Sequence, residues 1–145
     1  MAPILLLVLV SGSFGATFTA NTTGNWNVSA TWSGAGTPGA SDDIIINTGV
    51  SVTLVADYTT TGSVTLSGTG TLQLAGYTFT GGSLIAAGAA VINNAGAQKV
   101  LTVGSANTTT TYTGILTNAV ALAKLGGGAL TLSGVNTYTG ATTVS

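Results

Sequence analysis

The segment spanning residues 122–145 places a short alternating strand between glycine turns, and this pattern strongly limits the folds open to the chain. Residues 129–133 read Ala-Leu-Thr-Leu-Ser, with glycines on both sides. Alternation with a period of two buries one face of a strand, and glycine at each end allows the positive φ that a sharp corner needs. A second segment of the same kind follows. A chain that repeats this unit without helices winds into a coil of short strands.

The same segment resembles the autotransporter-associated β-strand repeat of bacterial surface proteins. Members of that family read approximately Leu-x-Lys-x-Gly-x-Gly-x-Leu-x-Leu-Ser-Gly-x-Asn-x-Tyr-x-Gly-x-Thr. The matching positions in this chain are Leu122, Lys124, Gly126, Gly128, Leu130, Leu132, Ser133, Gly134, Asn136, Tyr138, Gly140 and Thr142. The resemblance covers residues 104–145 well and residues 17–74 loosely. It implies the passenger part of an exported protein, a β-helical stalk displayed on the surface of a bacterium.

Alternating segments separated by turn residues extend the pattern back to Ile44. Residues 72–81 (LQLAGYTFTG) match residues 130–140 with one residue inserted, and such self-similarity marks stacked structural units. We therefore predict an all-β fold, a parallel β-helix or β-solenoid with a right-handed coil, over residues 44–145. This region ends in one autotransporter-associated repeat at residues 122–145. An antiparallel β-sandwich of similar strands is the alternative.

Residues 16–43 differ from the rest of the chain in carrying both tryptophans. Trp26 and Trp32 lie here together with Pro38, the second of the two prolines. Large aromatic side chains at the start of a solenoid can cover the end of its core, which otherwise meets water. The segment also resembles the Trp-rich amino-terminal part of many exported bacterial repeat proteins. We predict that residues 16–43 form an N-terminal cap.

The first fifteen residues allow two interpretations. Residues 3–10 are apolar and are followed by small residues, with Ser13 and Gly15 at the −3 and −1 positions of a signal-peptide cleavage site. The positively charged start that is typical of such signals is missing, since the first lysine is Lys99. The segment is therefore either a secretory signal or an apolar first strand that can be donated to another subunit.

Charge and cysteine content exclude several classes of function. Charged residues make up 3% of the chain, against about 25% in an average protein, and the net charge is −1. This leaves no electrostatic attraction for nucleic acid or anionic lipid. No apolar run reaches the roughly 18 to 20 residues of a transmembrane helix, so we expect no transmembrane span. The absence of cysteine excludes disulfides and thiolate chemistry.

The chain also lacks the side chains that most enzymes use. It contains no His, Cys, Glu or Arg, so the usual nucleophile–base pairs cannot be assembled. Asp42 and Asp43 are adjacent, but neighbouring residues of a strand point to opposite faces. They are weak candidates for a calcium site, which needs about six to eight oxygen ligands, and the simpler interpretation is that they accept hydrogen bonds from backbone N–H groups in a turn or cap. We predict no catalysis, no cofactor and no metal.

The ends of the predicted solenoid suggest a function. Ile4, Leu6 and Val8 at one end, and Thr142 and Val144 at the other, are candidate assembly edges, because unpaired strand edges template further strands. The last motif stops where another strand should follow, so we expect either a fragment of a longer protein or a separate chain that completes the stack. Contact between unlike ends gives open filaments.

Our leading hypothesis is therefore a non-catalytic extracellular subunit of a fibre, sheath or cell-surface layer. Its partners would be itself, head to tail, or other cell-surface components. The alternative is a monomeric adhesin or autotransporter passenger stalk that serves attachment. A carbohydrate-active β-helix enzyme is a distant third hypothesis.

Overall fold

The computed structural model describes residues 15–34 and 36–145. Apart from one 3-10 helix, Ser29–Thr31, the regular elements of these residues are all strands, from 2 to 13 residues long. The strands are β1 (Thr17–Ala20), β2 (Gly24–Asn25), β3 (Asp43–Ile46), β4 (Ser51–Thr53), β5 (Tyr58–Thr59), β6 (Ser63–Ser67), β7 (Thr71–Gln73), β8 (Phe79–Gly81), β9 (Ser83–Ala87), β10 (Val91–Val103), β11 (Thr110–Tyr112), β12 (Ile115–Lys124), β13 (Leu130–Leu132), β14 (Thr137–Tyr138) and β15 (Thr142–Val144).

The strands stack in parallel, each on the strand one coil further along the chain. Ile44 pairs with Val64 and Val64 pairs with Leu84, so these coils take 20 residues each. In the residues that the structure describes, one contact is antiparallel, the bridge between Ala20 and Trp32. The predicted parallel β-solenoid is thus confirmed, with about five coils. The antiparallel sandwich is wrong, because strands pair with the next coil rather than with a hairpin neighbour.

Three stacks of strands enclose the core, and we call them faces 1, 2 and 3. Face 1 consists of β1, β3, β6, β9, β11 and β13. Face 2 consists of β2, β4, β7, the first halves of β10 and β12, and β14; face 3 consists of β5, β8, the second halves of β10 and β12, and β15. Faces 2 and 3 join where β10 and β12 turn a corner without losing strand character.

Alternation along each strand decides which side chains enter the core. In β6, Val64 and Leu66 are fully buried, whereas the serines and the threonine between them stay half exposed. The same pattern repeats from coil to coil, so Leu, Ile and Val stack in columns inside the solenoid. Burying such aliphatic side chains contributes roughly 1.5–3 kcal/mol each, which lets a cysteine-free chain stabilise itself by stacking.

A buried asparagine forms the corner in β10. The register shifts between Asn94 and Lys99, and the residues between them are exposed. The Asn94 amide nitrogen donates to the carbonyl oxygens of Ala97 (2.8 Å) and Ala119 (2.9 Å), and its oxygen accepts from Gly76 N (2.9 Å). This side chain therefore supplies the hydrogen bonds that the backbone loses at the corner.

The right-handed sense of the coil stays a prediction, and it rests on the strong preference for right-handed crossovers between parallel strands. Among the residues that the structure describes, there is no helix with the length and apolar character needed to cross a membrane.

Candidate functional site

The glycines of the repeat motif lie where one coil touches the next. A Cβ atom at Gly134 would overlap the carbonyl oxygen of Gly114, and one at Gly128 would overlap that of Thr108. At Gly140, a Cβ would lie 2.5 Å from the carbonyl oxygen of Val120. Each overlap involves the backbone of the preceding coil, which cannot move aside. The motif therefore encodes close approach between coils.

Gly126 has a different role, because its backbone is left-handed. Its φ is +71°, a conformation that favours glycine. The side-chain oxygen of Asn107, one coil earlier, accepts from Gly127 N at 2.9 Å. This hydrogen bond joins the two corners that precede β11 and β13.

The apolar and polar motif residues face the interior. Leu122 is buried, and Leu130, Leu132 and Tyr138 are partly buried against the core. The Tyr138 hydroxyl is hydrogen-bonded to Thr142 Oγ1 at 2.6 Å. Asn136 Oδ1 accepts from Leu116 N at 2.8 Å, while its Nδ2 donates to Gly134 O at 2.9 Å. Asn136 therefore joins the last two coils at the start of face 2.

Lys124 differs from most lysines, whose ammonium groups lie in solvent. The residue is buried, with 7% of its surface exposed. It pairs with Val103 in the preceding coil and with Val144 in the following coil, which places it in an inward column of face 3. Lys124 Nζ donates to Leu125 O and, at 3.0 Å, to Gly126 O. Corner carbonyls thus solvate the ammonium group inside the solenoid.

Aromatic residues fill the other end of the core. Trp26 and Trp32 are both buried and pack edge to face, with their ring centroids 4.9 Å apart. Trp26 also contacts Tyr58 (4.2 Å) and Phe79 (5.6 Å), so the cluster reaches into the third coil. The sequence analysis selected the two tryptophans as cap residues but missed Tyr58 and Phe79, whose signal was their alternation with threonine.

The cluster contains two polar groups that differ in their hydrogen bonding, the indole N–H of Trp26 and the hydroxyl of Tyr58. The Trp26 indole Nε1 is buried and has no hydrogen-bond partner among the described residues. The Tyr58 hydroxyl donates to Gly39 O at 2.7 Å. Burial, and secondarily the negative charge of Asp42, raise the pKa of Tyr58 well above its ordinary value, so the phenol stays protonated. Pro38, the third predicted cap residue, is also buried.

The segment around Trp32 also covers the outer edge of β1. Ser33 N donates to Thr19 O at 2.7 Å, and Asn21 N donates to Thr31 O at 3.2 Å. With the antiparallel bridge between Ala20 and Trp32, these hydrogen bonds occupy the edge that faces away from β3. We call residues 31–33 the clasp. It blocks the edge on which another strand would otherwise stack.

The opposite end differs, because no strand covers it within the described residues. In that part of the chain, β13 pairs only with β11, and β14 and β15 pair only with β12. Thr142 and Val144, two predicted assembly edges, lie on β15 and are exposed, Val144 by 76%. The other three, Ile4, Leu6 and Val8, lie outside the described residues.

Asp42 and Asp43 stabilise the backbone where the second coil begins. The two carboxylate oxygens of Asp42 accept from Ala16 N (2.7 Å) and Gly39 N (2.6 Å). Asp43 Oδ1 accepts from both the backbone N and the Oγ of Ser63. No group of three acidic, His or Cys residues that could hold a metal ion exists in residues 15–34 and 36–145. The arrangement is that of the simpler interpretation, hydrogen bonding to backbone N–H groups.

A ladder of side-chain amides on face 2 escaped the sequence analysis. Asn93 Nδ2 donates to Gln73 Oε1 at 2.7 Å, and Asn118 Nδ2 donates to Asn93 Oδ1 at 2.6 Å. The two pairs are 20 and 25 residues apart in sequence, each about one coil, so amide side chains that recur once per coil are the signal that predicts them.

Comparison with family models supports the repeat assignment. The passenger-associated-transport-repeat model matches residues 64–89 and 122–145. The second match is the predicted repeat, and the first contains the internal copy at residues 72–81. Comparisons with curated proteins and with solved structures find no match.

The two repeats begin on different faces of the solenoid. Residues 64–89 start in β6 on face 1, whereas residues 122–145 start in the second half of β12 on face 3. Their glycine corners still correspond, since Gly68 and Gly126 both have positive φ, +54° and +71°. In the same alignment, Lys124 takes the buried position that Leu66 has in the first repeat. The chain is a β-solenoid that carries two passenger-associated-transport-repeats, and its resemblance to the autotransporter-associated β-strand repeat proteins is confirmed.

Proposed function

We propose that the chain is a non-catalytic structural protein of the bacterial cell surface. The two repeats and the β-solenoid fit a passenger-type surface protein, which is secreted or displayed outside the cell. The observation that carries the proposal is the match of two passenger-type repeats to a chain that folds as a parallel β-solenoid.

The finer proposal is a subunit of a fibre, sheath or surface layer that assembles head to tail. Thr142 and Val144, which the sequence analysis selected as an assembly edge, are exposed on β15. Head-to-tail contact, which the sequence analysis favours, needs a second free edge at the other end. The clasp occupies that edge on β1, so a head-to-tail contact at this end would have to form on faces 2 and 3.

The second candidate is a monomeric adhesin or passenger stalk that attaches a cell to a surface. The match to a passenger-associated-transport-repeat favours it, because the resemblance found in the sequence implies the passenger stalk of an exported protein. The two candidates differ in oligomeric state, which makes them separable in solution.

A carbohydrate-active enzyme has the least support. Asp42 and Asp43 accept hydrogen bonds from the backbone, as does Asp57, whose Oδ1 accepts from Thr78 N at 2.8 Å. That bond is the main reason why the pKa of Asp57 lies below its ordinary value. A carboxylate with a lowered pKa is a poor general acid near neutral pH. The three acidic residues therefore act as structural acceptors.

Light scattering across a concentration series, with electron microscopy of the same samples, tests the proposal. Assemblies larger than one chain are expected, and Val144→Asp should weaken them because the charge enters the uncovered end. Thr143→Asp is the matched control, since Thr143 is exposed on the same strand and lies on the outward side. Uniform single-chain rods at every concentration would contradict the assembly role and favour the stalk.

A further inference from the structure

Lys124 is buried at the last inward position of β12, where its ammonium group has a specific set of neighbours. Lys124 Nζ donates to the carbonyl oxygens of Leu125 and Gly126, in the corner after β12. Gly104, in the corner one coil earlier, leaves the necessary space, since a Cβ there would lie 2.8 Å from Nζ and 2.9 Å from Cδ of Lys124. We call Gly104, Leu125 and Gly126 the lysine socket.

The socket lies beside one of two inward columns of face 3. Lys124 belongs to the column at the end of the face, where it pairs with Val103 of the preceding coil. The other column, two residues earlier in each strand, is apolar and buried, and consists of Phe79, Leu101 and Leu122. The two columns therefore offer a lysine different surroundings, hydrogen-bond acceptors in the first and hydrocarbon in the second.

The apolar pattern of β12 does not choose between these columns. Register here means which residue of β12 pairs with which residue of β10. The inward residues Val120, Leu122 and Lys124 are spaced by two, so a shift of two residues keeps each of them inward. The residues between them are alanines, Ala121 and Ala123, whose small side chains fit beside either set of neighbours. The register therefore needs a second determinant.

The ammonium group of Lys124 distinguishes the two registers. A shift of two residues toward the middle of β10 would place Lys124 beside Leu101, which is fully buried. A charge buried there without acceptors is strongly disfavoured, whereas the socket supplies two carbonyl oxygens. The side chain of Asn107 adds to the same choice, because its oxygen accepts from Gly127 N at 2.9 Å in the observed register.

The first repeat buries a leucine where the second buries this lysine. Leu66 has the aligned position, is fully buried and pairs with Ile46 and Ala86 of the adjacent coils. An aliphatic side chain is thus sufficient to fill this place in the core. A buried charge at a position where leucine suffices is expected to specify the structure rather than to stabilise it, as single buried polar residues do in coiled coils.

We infer that Lys124 and its socket set the register of β12 on β10, and with it the point at which the following coil begins. The ammonium group excludes the register that is shifted toward the middle of β10, because that register gives it no acceptors. This role goes beyond the proposed function, since it applies to a fibre subunit and to a stalk alike.

Pairs of cysteines on the outward side of β10 and β12 report the register, since the chain contains no cysteine. Thr102→Cys with Ala123→Cys joins residues that pair in the observed register, about 4.8 Å apart and within the range of a disulfide. Val100→Cys with Ala123→Cys joins residues that pair only in the shifted register. In the observed register their Cα atoms are about 8 Å apart, which is too far for a disulfide.

Each cysteine pair is made in the wild-type background and together with Lys124→Met, which keeps the length of the side chain and removes its charge. With Lys124 present, we expect the 102–123 disulfide alone. With Lys124→Met, the yield of the 100–123 disulfide should rise from background to a level comparable with that of the 102–123 disulfide. The melting temperature should stay the same or rise, because a hydrophobic side chain replaces a buried charge. Titration of free thiols after mild oxidation measures both yields.

Lys99→Met is the matched control, since Lys99 is the other lysine and is only half buried. It should leave the 102–123 disulfide as the only one. An unchanged disulfide pattern in Lys124→Met would overturn the inference, and so would the same change in Lys99→Met. Loss of folding in Lys124→Met, measured by circular dichroism, would also overturn it, because the ammonium group would then serve stability. The proposed function is tested separately, by the oligomeric state.

Discussion

The indole Nε1 of Trp32 donates a hydrogen bond of 2.8 Å to the carbonyl oxygen of Trp26, while the two rings pack edge to face. This pair joins the clasp to the first coil. The Trp32 backbone bridges to Ala20 on β1, and Trp26 N donates to Thr53 O in the next coil at 2.8 Å. The contact between Trp26 and Trp32 therefore links the clasp on the edge of β1 to the aromatic cluster in the core.

Replacing Trp32 should therefore destabilise the whole first coil. For Trp32→Ala we expect a loss of about 3–5 kcal/mol in the free energy of unfolding, the usual cost of deleting a buried aromatic side chain. Trp32→Phe keeps much of the ring packing and loses the hydrogen bond, so a smaller loss is expected. Guanidinium unfolding followed by circular dichroism measures both. A Trp32→Ala protein as stable as wild type would show that the clasp is not needed.

The motif glycines offer a matched pair of substitutions. Gly134→Ala should cost about 1–3 kcal/mol, the typical cost of overpacking, because its Cβ would overlap Gly114 O. Gly127→Ala should be neutral or slightly stabilising, since nothing lies within 4 Å of a Cβ there and its φ is not in the left-handed region. Thermal unfolding compares the two variants. Equal melting temperatures would refute the role of close coil contact in this motif.

Lys124 should tolerate no reversal of charge. In Lys124→Glu, a buried carboxylate would face the carbonyl oxygens that now accept from the ammonium group. Because the charge would be buried without a partner, we expect a loss of about 3–5 kcal/mol. Lys99→Glu is the control, as Lys99 is only half buried and sits at the edge of the register shift in β10. Chemical denaturation should separate the two variants clearly, and similar losses for both would argue against a specific role for the buried position.

Alkaline pH should destabilise the fold through Tyr112. Burial raises the pKa of its phenol above the ordinary value of 10.0, so the folded state resists ionisation that the unfolded state allows. Its contribution to stability is fully present below pH 10 and is lost as the pH rises through the raised pKa. Melting temperatures between pH 9 and pH 12 should fall less steeply for Tyr112→Phe, because this range begins just below the pKa of about 10 that a free tyrosine has. An unchanged slope in this variant would exclude Tyr112 as the source.

The last coil should respond to which side of β13 carries a charge. Leu132→Asp places a carboxylate against the core and should unfold residues 130–145 locally, because an unpaired charge there has no compensating contact. Thr131→Asp points outward and should leave the coil folded. Hydrogen exchange of the last coil distinguishes the two outcomes. Equal protection in both variants would show that the inward assignment of Leu132 is wrong.

Much of the fold follows from local pattern. The alternating segments at residues 63–67 and 83–87 form β6 and β9, with Val64, Leu66 and Leu84 inward. Alternation and glycine corners are sufficient here, since a strand that buries one face has a single register that keeps aliphatic residues inside. Thr17–Ala20 alternates in the same way, and the structure places it on face 1, within the segment predicted as a cap.

Other features depend on how the corners fold and how distant segments pair, and the alternation of residues within one strand does not predict them. A charged residue such as Lys124 is not expected at an inward position. The carbonyl oxygens of Leu125 and Gly126 accept hydrogen bonds from its ammonium group and so offset the cost of burial. The clasp is equally hidden, because residues 31–33 form no strand of their own and act only when they lie beside β1. Pairing with β1 decides the clasp, and the carbonyl groups of the following corner decide the position of Lys124, and the alternation within one strand shows neither.

The offset between the two repeats has a consequence for how such chains change in length. A repeat that can begin on face 1 or on face 3 need not be separated from the next repeat by a whole number of coils. Insertion or loss of one strand and its corner would rotate everything downstream by a third of a revolution and still leave leucines inside. The fold can therefore lengthen during evolution in steps smaller than its own helical pitch.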